Sequence, residues 1–383
     1  MGFRGYKRVD GSAGVRNHVV VMSSVSCVNG VVNAIGRAAP VKTITHTEGC
    51  GRGVADVKTS VRTLIGLALN PNVHSVLVVG LGCEFINPAV IVAGAAASGK
   101  RIEKIVVQEL GGSQKAAAAG VEIVRSMLAE AQSQEREELG FEYLTVGLEC
   151  GGSDALSGIT ANPMIGAAAD WLVAKGGTVM LAETTEMIGA EKILGRRAAT
   201  PEMGEKIVSM VVRQRKMTED ILGPLANLVI SPGNMEGGLS SISEKSLGCV
   251  VKGGTTRINE VVEYADKPRS RGLVIMDTPG SDIFQLTGMA AGGANLVLFS
   301  TGRGTPAGFP IVPVIKIASN TDLFNKMRDD MDLNAGVLVE GATLEQAGGD
   351  LVRLIERVAS GEPTKAEANF QDVVAIHTMG PAF

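Results

Sequence analysis

The stretch at residues 74–84, HSVLVVGLGCE, decides the fold. A run of apolar, mostly β-branched residues passes directly into a Gly-rich turn that carries a thiol and a carboxylate. Such a run reads as a buried strand of an α/β sheet. Three more stretches repeat the pattern: HVVVMSSVSC ends at Cys27, VKTITHTEGCG carries Cys50, and YLTVGLECGG carries Cys150. In open α/β sheets ligands sit beyond the carboxyl ends of the strands. Four thiols at four strand tips are therefore expected to converge on one metal or iron–sulfur site, not to pair as disulfides.

Working outward, strand-like and helix-like segments alternate. Strands are expected at 18–26, 41–46, 75–81 and 103–108, each followed by a helix, at 28–37, 53–69, 87–98 and 112–135. A polar segment, EAQSQEREELG (130–140), closes this series. A second series has strands at 143–149, 177–182, 226–230, 272–277, 295–300, 312–318 and 336–340. Its helices are expected at 163–174, 187–195, 201–219 and 343–360. Strand–helix alternation calls for parallel sheets with helical crossovers. The predicted architecture is α/β, two lobes with mainly parallel sheets flanked by helices, divided as 1–138 and 139–383.

Composition narrows the function classes. With 383 residues the chain is long enough for two cores. A net charge of −4 leaves no basic footprint for nucleic acid. No apolar run reaches membrane-spanning length. The opening MGFRGYKRVDG lacks the apolar core of a secretion signal. Together with an odd count of 5 cysteines this points to reduced thiols in the cytoplasm.

His46-Thr-Glu-Gly-Cys50 places an imidazole, a carboxylate and a thiol within five residues, and Gly82-Cys83-Glu84 pairs a thiol with a carboxylate. Thiolate with imidazole suits iron or zinc, and a carboxylate adds a hard ligand or a base. No CxxC spacing marks a zinc ribbon or a small ferredoxin. The plainer alternative makes Cys27, Cys83 and Cys150 small buried hydrophobes. Cys249, in EKSLGCVVKGG, is read as packing. CGGSDALSGITANP (150–163) supplies Ser153, Asp154 and Asn162 on a Gly-rich turn suited to an anionic or hydroxylated substrate. Arg303 between glycines, Lys252, Lys316 and Arg16 are candidate carboxylate clamps, and Asp282 lies in the DTPGSD loop (277–282). His74 and His377 have no companions and are read as structural. No strand leads into GxGxxG, which disfavours a dinucleotide-binding dehydrogenase.

GLGCE (80–84), CGGSDALSGITANP (150–163), ETTEMIGAE (183–191), SPGNMEGGL (231–239), MDTPG (276–280), TGRG (301–304) and KIASNT (316–321) together resemble the large catalytic part of the altronate and galactarate dehydratases. That family includes the large subunit of sulfolactate sulfo-lyase. The resemblance implies an iron-dependent lyase that removes a β-leaving group from a 2-hydroxy acid. The iron is either a ferrous ion or a [4Fe-4S] cluster, with Cys27, Cys50, Cys83 and Cys150 as its ligands. It also implies a separate small subunit in place of the family's N-terminal substrate-gating domain, and an oligomer. His46 or Glu84 is the expected base, with Arg303 and Lys252 completing the catalytic set. Substrate binding falls to Arg16, Ser153, Asp154, Asn162, Asp282 and Lys316. Ile283, Phe284 and His18 depart from the sugar-acid pattern and lean towards a smaller acid such as sulfolactate. The rival reading is a non-catalytic iron-binding subunit, active only with a partner chain.

Overall fold

The computed structural model describes residues 2–223 and 230–383. Its first part runs β1 (Phe3–Lys7), β2 (Ala13–Gly14), β3 (His18–Ser23), α1 (Asn29–Ala38), β4 (Lys42–Ile44), α2 (Val54–Leu69), β5 (Val73–Gly80), α3 (Pro88–Ala95), β6 (Arg101–Val106), α4 (Ser113–Ser133) and β7 (Glu137–Leu139). Next come β8 (Thr145–Cys150), α5 (Ala161–Ala174), β9 (Thr178–Leu181), α6 (Glu191–Arg196), α7 (Pro201–Leu222), α8 (Pro232–Glu236), α9 (Ile242–Cys249), β10 (Ile258–Val262) and β11 (Gly272–Met276). The last part holds α10 (Asp282–Ala291), β12 (Leu296–Thr301), β13 (Val314–Ala318), α11 (Thr321–Lys326), β14 (Leu333–Asn334), α12 (Leu344–Ala359) and α13 (Lys365–Ala368).

The strands form two parallel sheets, ordered β4-β3-β5-β6 and β10-β11-β9-β8-β12-β13-β14, and a small antiparallel sheet, β2-β1-β7. The expected α/β architecture is therefore present. β8, β11, β12 and β13 are buried along their length, apart from Thr145, as apolar runs covered on both faces must be. In the larger sheet the chain moves outward from β8 to β9, then returns to lay β12 on the other side of β8. The boundary between β8 and β12 is thus a topological switch point, where the loops after the two strands diverge and leave a crevice. The smaller sheet has the same feature between β3 and β5.

One apolar cluster joins the two parallel sheets. Val20, Met22, Val76 and Val78 of the smaller sheet share it with Met180, Val297 and Phe299 of the larger, with α2, α3 and α10 residues between them. Buried asparagines staple the same seam. Asn70 donates to the carbonyls of Ala290 and Ala294, both at 2.8 Å, and Asn72 to those of Asn295 and Ile311, both at 2.9 Å. On the opposite face, α12 buries Ala347, Leu351, Leu354, Ile355 and Val358, one stripe at helical spacing. Thr343 and Gln346 start it with a reciprocal capping box.

Some expectations differ from the structure. Residues 336–338, expected in a strand, form a short 3-10 turn, and the sheet edge is β14, two residues long. Ala335 and Val339 flank the turn in helical conformation, so the apolar Val337 and Leu338 pack against the core from a turn. The expected strand 226–230 lies outside the described residues except for Ile230. The polar segment after α4 supplies β7, whose partner β1 (FRGYK) carries one glycine and three polar or charged-ended side chains and escaped the hydrophobic pattern. No described helix is long and apolar enough to cross a membrane.

Candidate active site and metal-binding group

β8 delivers Cys150 to the switch point, and its neighbour β9 delivers Glu183 two residues past its own end. Glu183 has φ +71°, a left-handed conformation that costs a non-Gly residue about 1–3 kcal/mol and tends to mark functional sites. Its backbone is held there: the Glu183 N–H donates to the Thr278 hydroxyl at 2.7 Å. The turn that follows aims Glu186 back at the strand end. Cys249, the last residue of α9, closes the group. The Cys150 and Cys249 sulfurs are 3.2 Å apart, and Glu186 Oε2 lies 2.8 Å from the first and 3.0 Å from the second.

All three residues are buried. They are the group of three His, Cys, Asp or Glu ligand atoms found within 4.8 Å of one another among the described residues. Two ammonium groups face them: Lys245 pairs with Glu186, and Lys252 pairs with Glu183. Burial disfavours a Cys150 thiolate, but hydrogen bonding from Cys249 and the charges of Lys252 and Lys245 outweigh it and hold Cys150 well below the usual thiol range. The Cys249 thiol is pushed up by that same bond to Cys150 and by burial. Burial and the Cys150 charge raise Glu186 to about 8. Glu149, one residue before Cys150, is fully buried with neither carboxyl oxygen hydrogen-bonded, and burial beside Asp282 holds it protonated.

The donor chemistry fits a metal. Three buried carboxyls (Glu149, Glu183, Glu186) and two buried thiols face only two ammonium groups, so the pocket carries acid that a cation can neutralise. Two sulfurs and a carboxylate oxygen suit iron or zinc. With metal–sulfur bonds of about 2.3 Å, tetrahedral geometry separates the sulfurs by about 3.8 Å. The pair need open by only about half an ångström.

The residues expected at the site from sequence fall into distinct places. Cys150 and Lys252 are in the cluster, and Asp282, on the first turn of α10, lies against it: a Cβ on Gly151 would sit 2.3 Å from its Oδ2. Arg303 bonds Gly152 O through its backbone N–H at 2.8 Å, pairs with Glu236 and remains exposed. Ser153 Oγ is buried without a partner. Asp154 accepts from Ser157, Ser319 and Asn320, tying the loops after β8 and β13 together. Asn162 donates to Gly248 O at 2.9 Å and accepts from Ser300 at 2.7 Å, which fixes α9 and hence Cys249 against β12. Lys316 is fully buried and donates to Pro306 O at 2.8 Å, beneath the loop that carries Arg303. Arg16 spends all its donors on Glu367 and the carbonyls of Val15, Val358 and Glu362.

Cys27, Cys50 and Cys83 are exposed, on three loops beyond β3, β4 and β5. They do not join Cys150 and Cys249 in the close group. His46 has both ring nitrogens engaged, Nε2 at 2.8 Å from Ser23 O and Nδ1 accepting from Glu48 N at 3.1 Å. Burial keeps it neutral. Glu84 accepts from Ser24, Leu81 and Gly82, which together overcome its burial and depress its pKa. Sequence reasoning missed Cys249, Glu183, Glu186 and Lys245. Cys249, read from sequence as packing, is brought to the group only by the placement of α9 beside β8.

Comparisons with known proteins identify the family of the chain. Residues 141–382 match D-galactarate/Altronate dehydratase, C-terminal, and residues 5–132 match D-galactarate dehydratase/Altronate hydrolase, second domain. The chain is similar to altronate dehydratase of Bacillus subtilis, at 36% identity over 99% of this chain and 78% of that protein. It is similar to galactarate dehydratase (L-threo-forming) of Escherichia coli, at 35% over 100% and 76%. A third relative is (2R)-sulfolactate sulfo-lyase subunit beta of Chromohalobacter salexigens, at 34% over 96% and 94%. The relatives are lyases, and the chain belongs to the galactarate and altronate dehydratase family.

Proposed function

We propose that the protein is an iron-dependent lyase that eliminates a β-leaving group from a 2-hydroxy acid to give a 2-keto acid. The observation that carries this reading is the buried Cys150–Glu186–Cys249 group at the switch point of the larger sheet. Cys150, Glu186 and Cys249 would hold the iron, which when bound supplies Lewis acidity to the substrate oxygen.

The remaining steps belong to side chains. Arg303 and the Gly151–Gly152 turn bind the substrate carboxylate, and the unpartnered Ser153 hydroxyl receives a substrate oxygen. Glu183, with Lys252 on its Oε2, takes the C2 proton, and the C–H electron pair becomes the C2–C3 double bond. The bond from C3 to the leaving group breaks, and that group departs with its pair, as hydroxide that gains a proton or as sulfite. The enol left behind tautomerises to the 2-keto acid. Glu183 and Lys252 take the base role in preference to His46 and Glu84 because they stand beside Cys150 in the buried group, whereas His46 and Glu84 lie on the loops beyond the smaller sheet. Asp154, Asn162 and Lys316 act by fixing loops.

The match over 94% of a subunit beta supports a separate small partner subunit. Five free cysteines support a reducing, cytoplasmic setting. The division into lobes 1–138 and 139–383 is part of the same proposal. The test is anaerobic purification, metal analysis, and 2-keto-acid assays on altronate, galactarate and sulfolactate, with and without a small subunit. Turnover of one acid that tracks iron content is expected. Iron-loaded protein that turns over none of them, even with the partner, would favour a non-catalytic binding subunit.

A further inference from the structure

Two cations meet on one turn at the amino end of the smaller sheet. The Asn70-Pro71-Asn72 turn, whose asparagine side chains join the two parallel sheets, also offers main-chain carbonyls to Arg8 and Lys100. Lys100 donates to Asn70 O at 2.5 Å, and Arg8 Nε donates to Pro71 O at 2.8 Å. The two charged groups therefore sit on consecutive carbonyl oxygens. Both line a cavity of about 270 Å³. His74, the second residue of β5, lines it as well, and its Nδ1 is buried without a partner. Arg101 and Glu130, also on the wall, pair with each other at 2.5 Å. Lys7 adds an exposed ammonium.

The positive charge of Arg8 and Lys100 is left unanswered. The other Arg8 donors go to Asn17 Oδ1 at 2.7 Å, Gln134 Oε1 at 3.0 Å and Arg16 O at 3.1 Å, and Lys100 also reaches Ala68 O at 3.4 Å. All of these acceptors are neutral, as is the Tyr6 ring, 5.8 Å from the guanidinium. Asp10 acts on both cations from beyond ion-pair distance, and its carboxylate accepts from the Ser12 N–H and hydroxyl. A guanidinium has five N–H groups and an ammonium three, so among the described residues each keeps one without an acceptor. Arg8 is buried and Lys100 half-buried, and burial draws Arg8 down to about 10 and Lys100 well below the usual lysine range. An unpaired buried charge is unfavourable, and an anion relieves it through charge-assisted hydrogen bonds. We propose that this cavity binds a small dianion, a phosphate or a dicarboxylate, through Arg8, Lys100 and the neutral N–H of His74. The site is separate from the candidate active site. His74 and Arg101 stand at the amino ends of β5 and β6, whereas Cys150 closes β8 at its carboxyl end. Because the same turn staples the seam, an occupant braces the two sheets against each other.

The test is isothermal titration calorimetry of the full chain with inorganic phosphate and, separately, with malonate, at fixed ionic strength and alongside melting curves. Wild type is expected to bind at least one of the two saturably, and to melt at a higher temperature in its presence. Lys100→Gln and His74→Leu should each weaken that binding by about tenfold or more and remove most of the shift, while circular dichroism reports an unchanged fold. Arg303→Ala, at the candidate active site, should keep both the binding and the shift. Binding of phosphate alone supports the inference for phosphates, and binding of malonate alone supports it for dicarboxylates. Wild type that binds neither would overturn it. So would binding that both Lys100→Gln and His74→Leu leave unchanged, or that Arg303→Ala abolishes.

Discussion

Cys150 meets three influences at one atom: a strand end, a second thiol and two ammonium groups. Replacing Cys150 or Cys249 by Ser should remove the iron of the buried group and lower turnover by at least about 100-fold. Melting curves should move little, since Ser keeps the size of the side chain. Arg303→Ala should raise KM about tenfold, the equivalent of 1.4 kcal/mol, with a smaller change in kcat, as loss of a carboxylate clamp requires. Two histidines set a pH dependence of stability that is independent of iron. His18 is drawn down to about 3 by burial and by Lys42 and Arg16, and His46 is lowered by burial. Both are neutral when folded, while the unfolded chain takes up protons below its ordinary pKa of 6.5. Their stabilising effect is therefore present above that pH and is lost as pH falls towards the folded values. Urea midpoints should drop between pH 7 and pH 5, at up to about 1.4 kcal/mol per pH unit for each histidine. His18→Gln should flatten the slope, and an unchanged slope would remove His18 from the account.

At the level of elements, most strands of the two parallel sheets could be read because buried parallel strands carry apolar runs that end in Gly-rich turns. Cys150 was found for that reason. The same rule applied to carboxylates would have found Glu183, which follows β9 just as Cys150 closes β8. Cys249 escaped because it ends a helix, and nothing in local spacing shows that α9 lies beside β8 until Asn162 is seen bonding Gly248. Arg16, His46 and Glu84 illustrate the converse. Their residue types suit chemistry, yet each has its bonding atoms filled by nearby backbone or side chains, which no linear pattern reports. α12 was legible from its apolar stripe and its Thr343 cap. Leu351→Ala there should cost about 2–5 kcal/mol and Thr343→Ala about 1 kcal/mol in chemical denaturation. A Leu351 variant with unchanged stability would mean that the α12 core does not pack as described.

The whole molecule is two parallel sheets held across one shared core, with the buried asparagines of the Asn70-Pro71-Asn72 turn as its polar staples. Asn72→Ala should cost about 1–3 kcal/mol for each buried carbonyl it leaves unpaired, and a loss of cooperativity in unfolding would indicate that the sheets separate first. The switch points of both sheets carry cysteines, three exposed on the smaller sheet and a buried pair on the larger one, so the fold gives the chain two chemically different edges. The central claim is that the buried pair with Glu186 holds the iron on which elimination depends. The measurement that reaches it most directly is iron bound per chain and 2-keto acid formed, read side by side for wild type and the Cys150→Ser/Cys249→Ser variant. The account predicts that the iron of the buried group and turnover disappear together in the variant while the fold persists. A variant that keeps both would contradict it.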